Sequence, residues 1–125
     1  MLPKKERLKD RRLFNLTFKK RQKRSSNLLT VYYLFPINKK DTNYLPKTSF
    51  IAGLNIDKRA TKRNQIKRRM REAYKLIKKK LITTNNNILS LCSVLIFIAN
   101  PNIKSATFEQ IRETMLNLLT KIRYE

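Results

Sequence analysis

Five of the nine side chains in Arg63-Asn64-Gln65-Ile66-Lys67-Arg68-Arg69-Met70-Arg71 are cationic, and Lys58, Arg59 and Lys62 stand just ahead of them. Such a run is suited to holding a polyanion. Guanidinium and ammonium groups neutralise phosphates and release their counterions. A helix N-terminus placed among them adds free N–H groups and the positive end of its dipole. Phe14, Phe18, Tyr32 and Tyr33 offer a second chemistry, the stacking of unpaired bases on aromatic faces. Each of these features also has an ordinary reading. Two Phe at i, i+4 share a helix face and can be core. Alternation sends one of two adjacent tyrosines to each side of a strand. The basic run 67–80, taken alone, reads as a solvated helix face.

Other chemistries are missing. There is no histidine, the commonest general base and metal ligand. A single cysteine, Cys92, excludes thiolate zinc sites and an internal disulfide, and its setting beside an apolar run reads as a small buried residue. No Gly-rich phosphate loop and no nucleophile elbow occur. The eight acids (Glu6, Asp10, Asp41, Asp57, Glu72, Glu109, Glu113 and Glu125) are scattered. A two-metal nuclease needs several convergent carboxylates. Glu109 and Glu113, at i, i+4, read as the solvated side of an amphipathic helix. No catalytic side chain is identified, and no metal bound by the polypeptide alone is expected.

The charge balance agrees with a polyanion partner. The chain has 30 Lys and Arg against 8 Asp and Glu, a formal net charge of +22 in 125 residues. Residues 1–24 and 58–80 hold 23 of the 30 cations, leaving the other segments most of the apolar runs. Self-repulsion of this size weakens a compact monomer, so a neutralising partner should stabilise the fold. Nucleic acid is favoured over an acidic membrane or protein. With 41% hydrophobic residues the chain can bury a core, and residues 1–125 are expected to form one RNA-binding domain with a flexible basic arm at 1–9. The longest apolar run, Val94–Ala99, is far too short to span a bilayer. No apolar segment follows the basic N-terminus, so a signal peptide is not expected. A cytoplasmic protein with no membrane partner fits these features.

Periodicity supplies the elements that must position the basic and aromatic residues. Residues 10–20 read as a helix capped by Asp10, and Arg21–Asn27 as a basic loop. Leu28–Phe35 reads as a strand ended by Pro36, and 36–48 as a polar loop. A second strand is predicted at 49–56, its central Gly53 marking a bulge or a close backbone approach. The long helix is predicted over 62–81. Ile66, Met70, Ala73, Ile77 and Leu81 form its apolar stripe, and Lys67, Arg68, Arg71, Lys75 and Lys78 its outer arc. Asn85–Asn87 reads as a turn, and Ser90–Ala99 as the most buried and central strand. The last helix starts near Thr107, with Gln110 completing a capping box and Phe108, Ile111, Met115, Leu118 and Ile122 on its apolar face. The order α-β-β-α-β-α implies an α/β (α+β) fold, a small sheet covered by helices.

The stretches Gly53-Leu54-Asn55-Ile56-Asp57-Lys58-Arg59 and Arg63–Tyr74 resemble the signature of the bacterial ribonuclease P protein subunit. Arg7-Leu8 with Phe14 and Phe18 resembles that family's N-terminal segment. Val94–Ala99 followed by Phe108-Glu109-Gln110-Ile111 resembles its last strand and helix, so the likeness spans nearly the whole chain. Gln65 stands where the family's Arg-Asn-Arg triplet has its second arginine, Asp57 where a small hydroxyl residue is typical, and the 60–62 link looks short. The resemblance implies a two-layer sandwich with a left-handed βαβ crossover, against the general handedness rule. It implies a subunit of an endoribonuclease whose catalytic RNA, with Mg²⁺ held mainly by that RNA, removes the 5′ leader of precursor tRNA. It further implies that Phe14, Phe18 and Tyr32 line a cleft for the single-stranded leader. Lys58, Arg59, Arg63, Asn64, Lys67, Arg68 and Arg71 would contact the catalytic RNA or flank its metal region. The competing expectation is a purely structural RNA binder, such as a small ribosomal protein, which the composition fits equally well.

Overall fold

Val94 to Ala99 has no polar side to offer water, so a strand made of it must be covered on both faces. The computed structural model describes residue 2 and residues 4–35, 46–83, 89 and 92–122. Its elements are α1 (Arg11–Lys20), β1 (Lys23–Ser25), β2 (Leu29–Leu34), β3 (Lys47–Ile51), α2 (Ala60–Thr83), β4 (Val94–Ala99) and α3 (Phe108–Thr120). The strands form one sheet in the order β1-β2-β4-β3, which makes β4 an interior strand. It pairs antiparallel with β2, Tyr32 facing Ile96, and parallel with β3, Ser49 facing Ile96. The parallel β3–α2–β4 connection is the crossover unit.

Alternation along the strands divides the core in two. On one face Leu29, Val31, Tyr33, Leu95, Phe97 and Ala99 pack with Ile66, Met70, Ala73, Tyr74 and Ile77 of α2 and Ile111, Met115, Leu118 and Leu119 of α3. Tyr74 is fully buried although it lies outside the predicted stripe. Its hydroxyl meets the Thr48 hydroxyl at 3.4 Å, and burial pushes its ionisation well above the usual tyrosine range. On the other face Leu34, Val94 and Ile96 are covered by α1 through Leu13, Phe14, Leu16 and Phe18. Cys92 is buried, and desolvation pushes its thiol up to about 12, which leaves it unreactive near neutrality.

The predicted caps form. The Asp10 carboxylate accepts the Arg12 N–H at 2.9 Å, and Thr107 and Gln110 exchange both bonds of a capping box. α1 ends on Arg21, whose φ of 56° is left-handed and whose N–H donates to the Phe18 carbonyl. Among the described residues it is the only non-glycine with positive φ, a conformation costing about 1–2 kcal/mol.

Several boundaries differ from the sequence expectation. Lys23–Ser25, expected as loop, is a strand because its backbone pairs with β2, Lys23 facing Tyr32 and Ser25 facing Thr30. The strand expected at 49–56 runs instead over Lys47–Ile51. Beyond it the chain turns, the Ile56 N–H donating to the Gly53 carbonyl at 3.0 Å. Gly53 therefore makes no bulge and has no positive φ, but a Cβ there would lie 2.9 Å from the Asn55 side-chain oxygen. Helix α2 begins at Ala60, two residues early, and β4 begins at Val94, four residues late. A 3-10 turn at Pro101–Ser105 comes after β4 and buries Ile103. The described part of the basic arm is docked rather than free. Lys4–Glu6 form a 3-10 turn, Leu2 is buried, and Leu8 donates its N–H to the Thr48 carbonyl. Lys78, expected on the outer arc, reaches the buried Glu6 at 2.8 Å. The Asn85–Asn87 turn and most of the 36–48 loop lie outside the described residues.

Ile66 and Leu76 separate burial from helix propensity on α2. Ile66 is buried and Leu76 is half exposed. Ile66→Ala should cost about 2–5 kcal/mol. Leu76→Ala should stay within about 0.5 kcal/mol, as exposed substitutions do. Denaturant titration of both variants checks this, and equal losses would show that α2 is not packed as described.

Candidate nucleic-acid interface

Phe14 and Phe18 are one helical turn apart on α1 and meet edge to face, ring centroids 5.0 Å apart. Phe18 in turn meets Tyr32 of β2 at 4.7 Å, and the Lys23 Nζ stands 5.7 Å from the Tyr32 ring centroid. All three rings are partly buried against the Leu34, Val94 and Ile96 cluster. The core and stacking readings are therefore compatible, because each ring packs inward while part of it stays open. Tyr33, its neighbour on β2, is buried on the opposite face beside Phe35. The three aromatic candidates thus form one continuous cluster.

The seven basic and polar candidates lie at the start of α2 and in the link before it, in three settings. Lys58, Asn64 and Arg68 are exposed. Arg59 and Arg63 are exposed or partly so, but their guanidinium groups are engaged internally. Arg59 donates through Nε and Nη2 to the Asp57 carboxylate, each at 3.2 Å. Arg63 donates through Nη1 to the carbonyls of Asp57 at 3.0 Å and Lys58 at 2.9 Å. Both cations therefore hold the link in shape and can offer only their remaining N–H groups to a phosphate. Gln65 is exposed beside Arg69 and Lys62 in a small cleft that also touches Asp57 and Lys104.

Lys67 and Arg71 occupy the third setting. With Arg7, Lys9, Thr48, Ser49 and Phe50 they line a cleft of about 330 Å³ between the N-terminal arm, the edge strand β3 and α2. Four cations around an aromatic edge suit a nucleotide, with charge for the phosphate and a ring for the base. Arg7, Lys9 and Phe50 carry no sequence signal that marks them as binding residues. Their place depends on the arm docking along β3, through the Arg7–Thr48 bridge, which no local pattern announces.

Four acids of the described residues are paired with cations. Asp57 binds Arg59 and, at 3.1 Å, Lys104; Glu6 binds Lys78; Glu72 lies 3.7 Å from Lys75; Glu109 lies 2.6 Å from Arg112. Among the described residues no three acidic, histidine or cysteine side chains gather as metal ligands, and no helix is long and apolar enough to cross a membrane.

Comparison with known proteins points one way. The family model described as Ribonuclease P matches residues 2–123. The ribonuclease P protein component of Alkaliphilus metalliredigens is 26% identical over 120 residues, covering 94% of this chain and 93% of the relative. The fold is shared with the RNase P protein of Thermotoga maritima, with a TM-score of 0.71 at 24% identity over 95% of this chain and 99% of that one. It is shared equally with the Staphylococcus aureus RNase P protein, with a TM-score of 0.69 at 24% identity over 92% and 93%.

Asp57 gives the link a pH dependence with a definite sign. The side-chain hydrogen bond from Arg59 holds its carboxyl well below the usual carboxylate range, the Arg59 backbone N–H and Lys104 acting the same way and desolvation opposing them. A lowered folded pKa means that the stabilisation is complete above the unfolded value, near about 4, and is lost as pH falls from there toward the folded value. Asp57→Asn should therefore melt below the unsubstituted protein at neutral pH. The gap should narrow as the pH drops under about 4. Parallel melting curves down to acid would show instead that the charge on Asp57 is irrelevant to the link.

Proposed function

The chain belongs to the ribonuclease P protein family and is a subunit of the tRNA-processing ribonucleoprotein, and from that premise we propose that it holds the single-stranded 5′ leader of precursor tRNA. The carrying observation is the continuous Phe14–Phe18–Tyr32 cluster, with each ring anchored in the core and partly open. Rings held in this way can stack unpaired bases without losing side-chain freedom on binding. Lys67 and Arg71, with Arg7 and Lys9, line the separate cleft at the β3 edge and attract RNA phosphates there.

The start of α2 is the surface for the catalytic RNA. Lys58, Asn64 and Arg68 supply open contacts, and Arg59 and Arg63 shape the link that presents them. An RNA partner also supplies the negative charge that a chain of net charge +22 needs for a compact state. Mg²⁺ is assigned to the RNA, since the acids of the described residues are each paired with a cation or stand apart, a donor set that does not fit a protein-held ion. The polypeptide's part is binding and orientation, in the cytoplasm where precursor tRNA is made.

Two measurements test this reading. The purified protein should leave precursor tRNA intact alone and promote 5′ cleavage at low Mg²⁺ when the RNA subunit is added; RNA-independent cutting that copurifies with the protein would refute it. In the holoenzyme, Phe18→Ala should weaken precursor binding by about 1–3 kcal/mol, the worth of one stacked base. Mature tRNA, which lacks a leader, should bind as before. Equal losses for both tRNAs together with a lowered melting temperature would make the ring purely structural.

A further inference from the structure

The chain that joins the rings of Phe18 and Tyr32 is strongly basic. Lys19, Lys20, Arg21 and Lys23 are all exposed, and none is ion-paired among the described residues. Lys19 and Lys20 have an ordinary explanation, since cations at a helix C-terminus complement its dipole. Arg21 and Lys23 carry further features. Arg21 occupies the left-handed position that closes α1, where glycine fits without strain, so its side chain is retained against a backbone preference. Strain of this kind points to a function for the strained residue. Lys23 faces Tyr32 across the β1–β2 ladder and holds its ammonium over the ring that ends the aromatic cluster. Arg24, the next residue, pairs with Val31 on the opposite face and donates to the Lys121 carbonyl. Lys23 thus stands where the aromatic cluster ends, and Arg21 two residues before it, at the end of α1.

We infer that this α1–β1 corner is a phosphate-binding extension of the aromatic platform. It takes the sugar–phosphate backbone of single-stranded RNA beyond the last stacked base, so that the protein senses how far the leader continues. The inference rests on the leader-platform reading above. Stacking holds the bases on the rings and is insensitive to nucleotides beyond them, whereas the corner engages only a strand long enough to overrun the rings.

The test uses the reconstituted holoenzyme and two precursor tRNAs, one with a leader ending at the ring cluster and one with a leader continuing well past it. Arg21→Gly should raise the melting temperature, because it relieves the left-handed arginine, and yet weaken binding of the long-leader precursor by about threefold to tenfold. Lys23→Gln should do the same to binding and lower the slope of log K against log salt by about 0.7, one single-strand phosphate contact. Arg21→Gly should leave affinity for the short-leader precursor unchanged, whereas Phe18→Ala should weaken both. If both corner variants keep the full advantage of the long leader while Phe18→Ala loses affinity, the corner is overturned and the platform stands. If Phe18→Ala weakens neither precursor, the platform reading falls and the corner falls with it.

Discussion

A strand with no solvent side organises this molecule. Val94–Ala99 is apolar throughout and buried along nearly its whole length, so both of its edges and both of its faces must be filled by other parts of the chain. β2 and β3 fill the edges in opposite senses, α2 and α3 fill one face, and α1 fills the other. Each functional surface is a by-product of that covering. Phe14 and Phe18 lie where they do because α1 must shield Val94 and Ile96, and Tyr32 because it faces Ile96 across the ladder. The cations of α2 point outward because the helix's other side is buried on the sheet.

The second organising constraint is the scarcity of negative charge. Among the described residues four acids pair with cations, and the two buried ones do so over long sequence distances. Asp57 joins the link before α2 to Lys104 in the turn after β4, and Glu6 joins the N-terminal arm to the middle of α2. In a chain with so few acids, each pair selects which cations are committed to the fold and which remain for RNA. Arg59, Lys78 and Lys104 are committed; Lys58, Arg68 and Lys23 are open.

Much of this was legible in the sequence, and the rest was hidden for physical reasons. The helices, their caps, β2 and the central place of β4 arise from local period and end signals, which the native structure keeps. The aromatic cluster was legible as candidates, since spacing placed Phe14 and Phe18 together and alternation separated Tyr32 from Tyr33. β1 was not, because Lys23-Arg24-Ser25 has no apolar alternation and becomes a strand only by pairing with β2. The internal duties of Arg59 and Arg63 were hidden because α2 begins earlier than its apolar stripe suggests, which brings both side chains back over the link. Lys104 with Asp57, and Arg7 with Lys67 and Arg71, are neighbours only once the sheet is closed, and no short-range pattern encodes them.

The strand order also bears on how the chain comes together. β2 and β3 do not pair with each other; both join through β4, which is made after both of them and after the whole of α2. During synthesis the first three strands have no mutual pairing beyond the β1–β2 hairpin, and a lone two-stranded hairpin is marginal in water. The basic arm, α1 and the cationic half of α2 therefore emerge before there is a sheet to hold them. The late arrival of one apolar strand then closes two ladders of long sequence separation at once, a topology that folds slowly. Until then the nascent chain is a positively charged polymer, open to any RNA within reach.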